Sequence, residues 1–247
     1  MKSTKIYPFL LLLFFASYSF AQGLTEKLQG SWKAQTKMDG KEVTRLLMVS
    51  GDFFSLTDYA TEDGDFIATR GGSLTANNGK MDILLEFNTL DSTLVMKREA
   101  FKVKMGKKGL QVKSDFLGSN TWQKVKSNIK SPLQNPWLFS GRERNGEMSR
   151  RTGESPRKTM KVLTDTHFQW IAYNTETGKF FGTGGGTYTA EDGVYTENIE
   201  FFSRDKSRVG AALKFQFEVK GDDWHHKGKS SKGDPMYEIW SARKLNN

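Results

Sequence analysis

The chain has no cysteine. That excludes disulfide stapling, a thiol nucleophile, a cysteine-ligated zinc site and a lipid anchor on a cleavage-site cysteine. It has only five prolines, and no stretch beyond the N-terminus approaches the roughly eighteen apolar residues of a membrane-spanning helix. No apolar period of 3.6 runs over twelve residues, so a helical bundle is excluded. A nucleophile elbow, a glycine-rich nucleotide fingerprint and a glycosidase-type carboxylate motif are also missing. Gly184-Gly185-Gly186 lacks the helix and lysine of a phosphate cradle, and glycine inside a strand marks a bulge or sharp bend instead.

What the 247 residues do have is aromatic side chains: 18 Phe, 6 Trp and 7 Tyr, with 24 glycines for tight turns. This composition favours many short strands. The N-terminus has Lys2 and Lys5, an apolar run from Tyr7 to Phe20, and Ser19-Phe20-Ala21. That pattern predicts a secretory signal over 1–21, cleaved after Ala21, and a periplasmic or secreted protein. The remaining chain has 35 basic and 28 acidic side chains, a net charge of +7. For an exported protein this excess points away from nucleic acid and toward anionic glycans, lipid headgroups or small carboxylates; a lysine-rich surface that merely keeps the protein soluble is the other reading.

The chain repeats itself. Shifted by 114 positions, Gly64-Asp65-Phe66-Ile67-Ala68-Thr69-Arg70-Gly71-Gly72 falls on Gly178-Lys179-Phe180-Phe181-Gly182-Thr183-Gly184-Gly185-Gly186. The same shift pairs Tyr59 with Tyr173, Glu86-Phe87 with Glu200-Phe201, and Phe101 with Phe215. Each copy is bracketed by tryptophans, Trp32 to Trp122 and Trp137 to Trp240. The predicted domains are therefore 22–126 and 132–247, with a polar linker at 127–131. The second copy has about nine extra residues within Gly141 to Lys158. Within a copy, Leu213, Phe215, Phe217 and Val219 alternate with Lys214, Gln216, Glu218 and Lys220, the period of a half-buried antiparallel strand. Asp192-Gly193 and Asn78-Gly79 supply hairpin turns. About eight meandering strands per copy favour closure into a barrel, which removes exposed edges.

Gly30-Ser31-Trp32 resembles the Gly-x-Trp signature of lipocalin-like (calycin-type) barrels. Arg243, just after Trp240, is similar to the cation that such barrels pack on a tryptophan; the second copy has Asn135-Pro136-Trp137 in place of Gly-x-Trp. The stretch from His167 to Tyr188 resembles exported lipocalin-like proteins of Bacteroidetes-type bacteria. The resemblance implies an all-β protein of two tandem lipocalin-like antiparallel β-barrels of about eight strands each. Such barrels include carriers, binding modules and a few lyases, so it assigns no catalytic residue.

Reactive residue types present in only one copy mark where a site was added. All three histidines lie in the second copy. His167 stands where the first has Phe53, Trp170 where it has Leu56, and Tyr188 and Tyr195 where it has Leu74 and Met81. Alternation places His167, Gln169, Ile171 and Tyr173 on one strand face, with Phe168, Trp170 and Ala172 on the other. Adjacent His225 and His226 point to opposite faces, so at most one can join His167, and no metal site or other cofactor is expected. Arg142, Arg144, Arg150 and Arg151 form a basic segment, read as a mobile loop over a barrel mouth, whose guanidinium forks match carboxylates and sulfates; a solvated loop neutralised by Glu143, Glu147 and Glu154 is the alternative.

Elimination from a uronic acid needs a cation on the carboxylate and a Tyr or His to move the proton. Candidate catalytic residues are therefore His167, Tyr173, Tyr188 and His226. Candidate substrate-binding residues are Trp170, Tyr195, Arg142, Arg144, Arg150 and Arg151. The expected function is action on anionic oligosaccharides, as a cofactor-independent lyase or dehydratase. The alternatives are a non-catalytic binding protein for a lipid, small hydrophobe or glycan, and an envelope protein that serves another protein.

Overall fold

The computed structural model describes residues 23–77, 79–114, 117–127, 130–151, 155–229 and 233–244. The predicted signal segment, Asn78 of one turn, Asn128 and Ile129 of the linker, and Glu154 lie outside the described residues.

The first copy forms β1 (Gly30–Met38), β2 (Lys41–Ser50), β3 (Phe53–Ala60), β4 (Phe66–Asn77), β5 (Lys80–Asn88), β6 (Arg98–Gly106), β7 (Gly109–Ser114) and β8 (Gly118–Lys124). These pair antiparallel in sequence order, and β8 returns to β1 through Trp32 opposite Lys124. The second forms β9 (Pro136–Arg144), β10 (Glu147–Arg150), β11 (Arg157–Leu163), β12 (His167–Asn174), β13 (Phe180–Glu191), β14 (Val194–Phe202), β15 (Ala212–Lys220), β16 (Asp223–Lys229) and β17 (Pro235–Ala242). Here β17 closes onto β9, with Trp240 opposite Phe139, and β10 hangs outside the ring on β9. The chain is therefore two tandem closed antiparallel barrels of eight strands each, the architecture of lipocalin-like proteins. No helix among the described residues is long and apolar enough to cross a membrane.

Two sequence expectations changed. The basic segment around Arg142 is a hairpin, not a loop: Arg144 faces Glu147 and Arg142 faces Ser149 across an Asn145-Gly146 turn. Both turn residues have positive φ, 51° and 81°, as a two-residue hairpin turn needs. Arg243 does not stack on a barrel tryptophan. Its guanidinium lies 4.7 Å from the Phe53 ring of the other barrel, while Lys124 takes the place over Trp32. The glycine run does mark a bulge, between Gly185 and Gly186, as Gly71 and Gly72 do in the first copy. A Cβ on Gly186 would come within 2.0 Å of the Asn198 carbonyl.

There are three apolar cores. Barrel one is filled by Trp32, Leu47, Phe54, Leu56, Ile83 and Trp122, and plugged by Leu24 and Leu28 of the helical segment 23–28. Barrel two is filled by Trp137, Phe168, Tyr195, Phe215, Trp224 and Trp240. The third core lies between the barrels and joins the outer faces of β2, β3 and β5 (Leu46, Met48, Phe53, Tyr59, Phe87) to those of β11, β12 and β14 (Met160, Val162, Ile171, Tyr173, Phe201). For this reason β3 is buried along its whole length.

The seam between the barrels is reciprocal. The Tyr59 hydroxyl donates to Glu200 and the Tyr173 hydroxyl to Glu86, each over 2.7 Å. Tyr59 packs on Phe201 and Tyr173 on Phe87, with centroids 5.1 and 5.0 Å apart. Phe66 stacks on its own repeat partner Phe180 at 6.0 Å. Repeat-equivalent residues thus exchange partners about an internal pseudo-twofold, the pattern of an isologous dimer interface.

A candidate ligand site in the second barrel

In barrel one an ion cluster fills the end of the interior, and Arg70 of that cluster also lines a cleft of about 600 Å³. Asp58 accepts from Arg45 Nε at 2.9 Å and from Arg70 Nη1 at 3.0 Å, and all three side chains are buried. Their equivalents in barrel two, by the same shift and the same strand pairings, are Thr159, Ala172 and Gly184. Removing that plug opens barrel two. Thr159 and Ala172 line a cleft of about 730 Å³ at its mouth.

Arginines rim this cleft. Arg142, Arg144 and Arg151 come from the β9–β10 hairpin and the residue after it, Arg157 from the start of β11, and Arg204 from just beyond β14. Arg142 is held by Glu238. Among the described residues, Arg144, Arg151 and Arg157 have no carboxylate within ion-pair distance; Arg151 stacks on Phe139 at 5.3 Å and Arg157 on Phe181 at 4.1 Å. Phe139, Trp170 and Trp240 supply flat apolar walls.

A second cleft of about 330 Å³ shares Thr159, Trp170, Glu238 and Trp240 with the first. Its buried floor is Lys161, Ile199 and His226. At the equivalent positions barrel one has Leu47 for Lys161, Ile83 for Glu197 and Val112 for His226; strand pairing matches Glu238 with Asn120. Barrel two thus has ionisable groups inside where its sister has Leu47, Ile83 and Val112. Lys161 Nζ donates to Glu197 Oε1 at 2.7 Å. The ammonium sits 5.1–5.6 Å from the rings of Tyr195, Phe215, Trp224 and Trp240. Such ring faces offset part of the cost of burying a cation.

His226 lies 3.8 Å from Glu238, beyond hydrogen-bond range, and neither ring nitrogen has a hydrogen-bond partner. Burial, with Lys161 adding to it, lowers the imidazole to about 4, so it is neutral at pH 7. Burial alone would raise Glu238; the facing His226, Arg142 and Lys161 more than offset this and bring it to about 2. Burial and the Glu197 charge push the Tyr195 phenol well above its usual value.

The structure divides the candidates from the sequence. Arg142, Arg144, Arg151, Trp170 and His226 converge on the two clefts. Tyr195 lies beneath them in the barrel core. Arg150 points away and pairs with Asp223 at 3.0 Å. His167 and Tyr173 are on the opposite face of β12, in the seam. Tyr173 donates to Glu86, and His167 Nε2 lies 3.9 Å from Glu200 with no hydrogen bond. Burial and the Lys33 charge lower His167 to about 4. Tyr188 donates to the Thr164 carbonyl at 2.5 Å and, with His167, Asp165 and Thr166, lines a separate cleft of about 280 Å³. The four groups proposed for proton transfer are therefore not assembled in one place. Arg204, Lys161, Glu197 and Glu238 are not among the residues the sequence singles out. The repeat carries a signal for the last three, an ionisable residue in one copy opposite an uncharged one in the other.

Residues 137–246 match the sequence model of a family described as Domain of unknown function (DUF4488). The match spans the second barrel from β9 through β17. No curated protein matches the chain.

Proposed function

We propose that the open end of the second barrel captures an anionic oligosaccharide, bearing uronic-acid or sulfate groups. The observation that carries this reading is the rim of five arginines around an aromatic-walled cleft, in the barrel that has lost the Arg45–Asp58–Arg70 closure. Guanidinium groups take carboxylate or sulfate through paired N–H donors, and indole and phenyl faces suit the apolar face of a sugar ring. In this reading the segment before Gln22 is an export signal, and the ligand is met outside the cytoplasm.

The test is calorimetric titration of the purified protein with trigalacturonate, a sulfated disaccharide and an uncharged trisaccharide. An acidic ligand should bind at least about tenfold tighter than the uncharged one, and the preference should weaken with added salt. Arg144→Ala with Arg151→Ala should remove most of that preference and leave the melting temperature unchanged, because both side chains are exposed. Equal binding of charged and uncharged ligands, or full binding by the double variant, overturns the reading.

One observation favours turnover of the captured ligand: the neutral imidazole of His226 on the floor beside Glu238. An arginine would neutralise the uronic carboxylate while the imidazole takes the proton from the adjacent carbon. That electron pair becomes a carbon–carbon double bond as the bond to the leaving oxygen breaks, and the departing oxygen takes up a proton. New ultraviolet absorbance from the conjugated carboxylate supports this second reading; binding without it makes the barrel a binding module.

A further inference from the structure

We infer that the deeper cleft of barrel two is a recognition site for the hydroxyl-bearing edge of a sugar ring, so that the end residue of an acidic oligosaccharide enters edge-first with its carboxylate left at the arginine rim. The inference rests on the anionic-ligand reading and names which part of the ligand goes where.

The floor groups select among ligand chemistries. Glu238 lines the cleft, Glu197 is outside its lining and paired with Lys161, and Arg208 and Lys229 complete the charged lining. An aliphatic chain would leave the two nitrogens of His226, buried and unpartnered as the protein stands, still without partners. A hydroxylated ring supplies partners to these groups. His226, 1% exposed, is neutral and offers one N–H donor and one bare acceptor. Lys161 spends one N–H on Glu197 and has two more. Glu238 Oε2 accepts from Trp240 Nε1 at 3.2 Å and has a further lone pair. Donors and acceptors therefore alternate around the indole walls of Trp170 and Trp240. The volume of about 330 Å³ lies at the small end of ligand sites, enough for one ring and not for a chain laid across.

Barrel one is an internal control. Its Leu47, Ile83 and Val112 at the positions of Lys161, Glu197 and His226 show that the fold does not need these groups.

The chain has three histidines, so histidine labelled with 13C at Cε1 gives three resonances, with that of His226 identified by its loss in His226→Val. Galacturonate, galactose and sulfate are titrated against this protein, with calorimetry in parallel. Galacturonate should move the His226 resonance, galactose should move it at higher concentration, and sulfate should leave it in place. His226→Val, which writes in the residue of barrel one, should bind galacturonate at least about tenfold more weakly, and His226→Gln should recover part of the loss. If galacturonate binds in an Arg144- and Arg151-dependent manner without moving His226, the inference fails and the anionic reading stands. If galacturonate does not bind but galactose moves His226, the anionic reading fails and the cleft assignment stands. No movement with either sugar overturns the inference.

Discussion

Arg243→Met is a severe test of how the two barrels are joined. Glu86 is 4% exposed and accepts from both Nη atoms of Arg243 and from the Tyr173 hydroxyl. Removing the guanidinium leaves the buried Glu86 carboxylate with the Tyr173 hydroxyl as donor and Lys158 as a cation within electrostatic reach. Breaking a buried pair by deleting one partner costs about 3–5 kcal/mol, and in a chain of this size each kcal/mol lowers Tm by roughly 2–4 °C, so a fall of about 10 °C is expected. Replacing both members, Glu86→Leu with Arg243→Met, removes the orphaned charge and should return most of the stability, because apolar substitutes for a buried pair are often neutral or better. Urea unfolding followed by tryptophan fluorescence and far-ultraviolet dichroism measures all four corners of the cycle. Since the third core is shared, the wild type should unfold in one transition by both probes. A loss under about 1 kcal/mol in Arg243→Met, or a double variant as weak as the sum of the singles, would refute the argument.

The folded-state values of about 4 for His167 and His226 lie below the unfolded value near 6.5. The unfolded chain therefore binds more protons between these limits, and stability falls as pH drops from about 6.5 to about 4, by on the order of 3 kcal/mol per histidine. Denaturation midpoints across that window should be flatter in His167→Phe and in His226→Val, and an unchanged slope would contradict the burial of these rings as neutral species. Thr159→Arg with Ala172→Asp writes two of the three closing residues of barrel one into the mouth of barrel two. It should abolish binding of trigalacturonate while the dichroism spectrum keeps its strand signature; undiminished binding would mean that the mouth is not the way in.

The barrels were legible because their signal is redundant. A repeat of 114 residues, period-two alternation and Asp-Gly turns all specify the same antiparallel meander, and each strand needs only local information. The site was legible in part, and the failures share a cause. Alternation separates His167 and Tyr173 from Trp170 correctly, but a strand buried on both faces gives no sign of which face is the interior. In β12 both faces are buried, one in the barrel and one in the seam. The repeat itself marks Tyr173 as scaffold, since Tyr59 holds the equivalent place and makes the mirror-image bond. Lys161 lies between the seam residues Met160 and Val162 and faces the barrel interior, a placement that the run itself does not signal. The replacement of Arg45, Asp58 and Arg70 by Thr159, Ala172 and Gly184 in the second copy is also in the sequence, but it is a change to small, unreactive residues.

The pseudo-twofold explains where divergence is permitted. A seam in which Tyr59 bonds Glu200 while Tyr173 bonds Glu86 constrains both copies at once, because a change in either tyrosine or either glutamate breaks one of two equivalent contacts. The outer faces of β3, β5, β12 and β14 are therefore tied to each other. The barrel interiors are under no such reciprocal constraint: Leu47 never meets Lys161, nor Val112 His226. One interior can remain a packed apolar core closed by Arg45, Asp58 and Arg70, which supplies half of the seam, while the other exchanges its closure for small residues and its apolar floor for ionisable ones. The candidate site then belongs to the second barrel and cohesion to both. A site built this way draws its rigidity from the shared seam as well as from its own barrel.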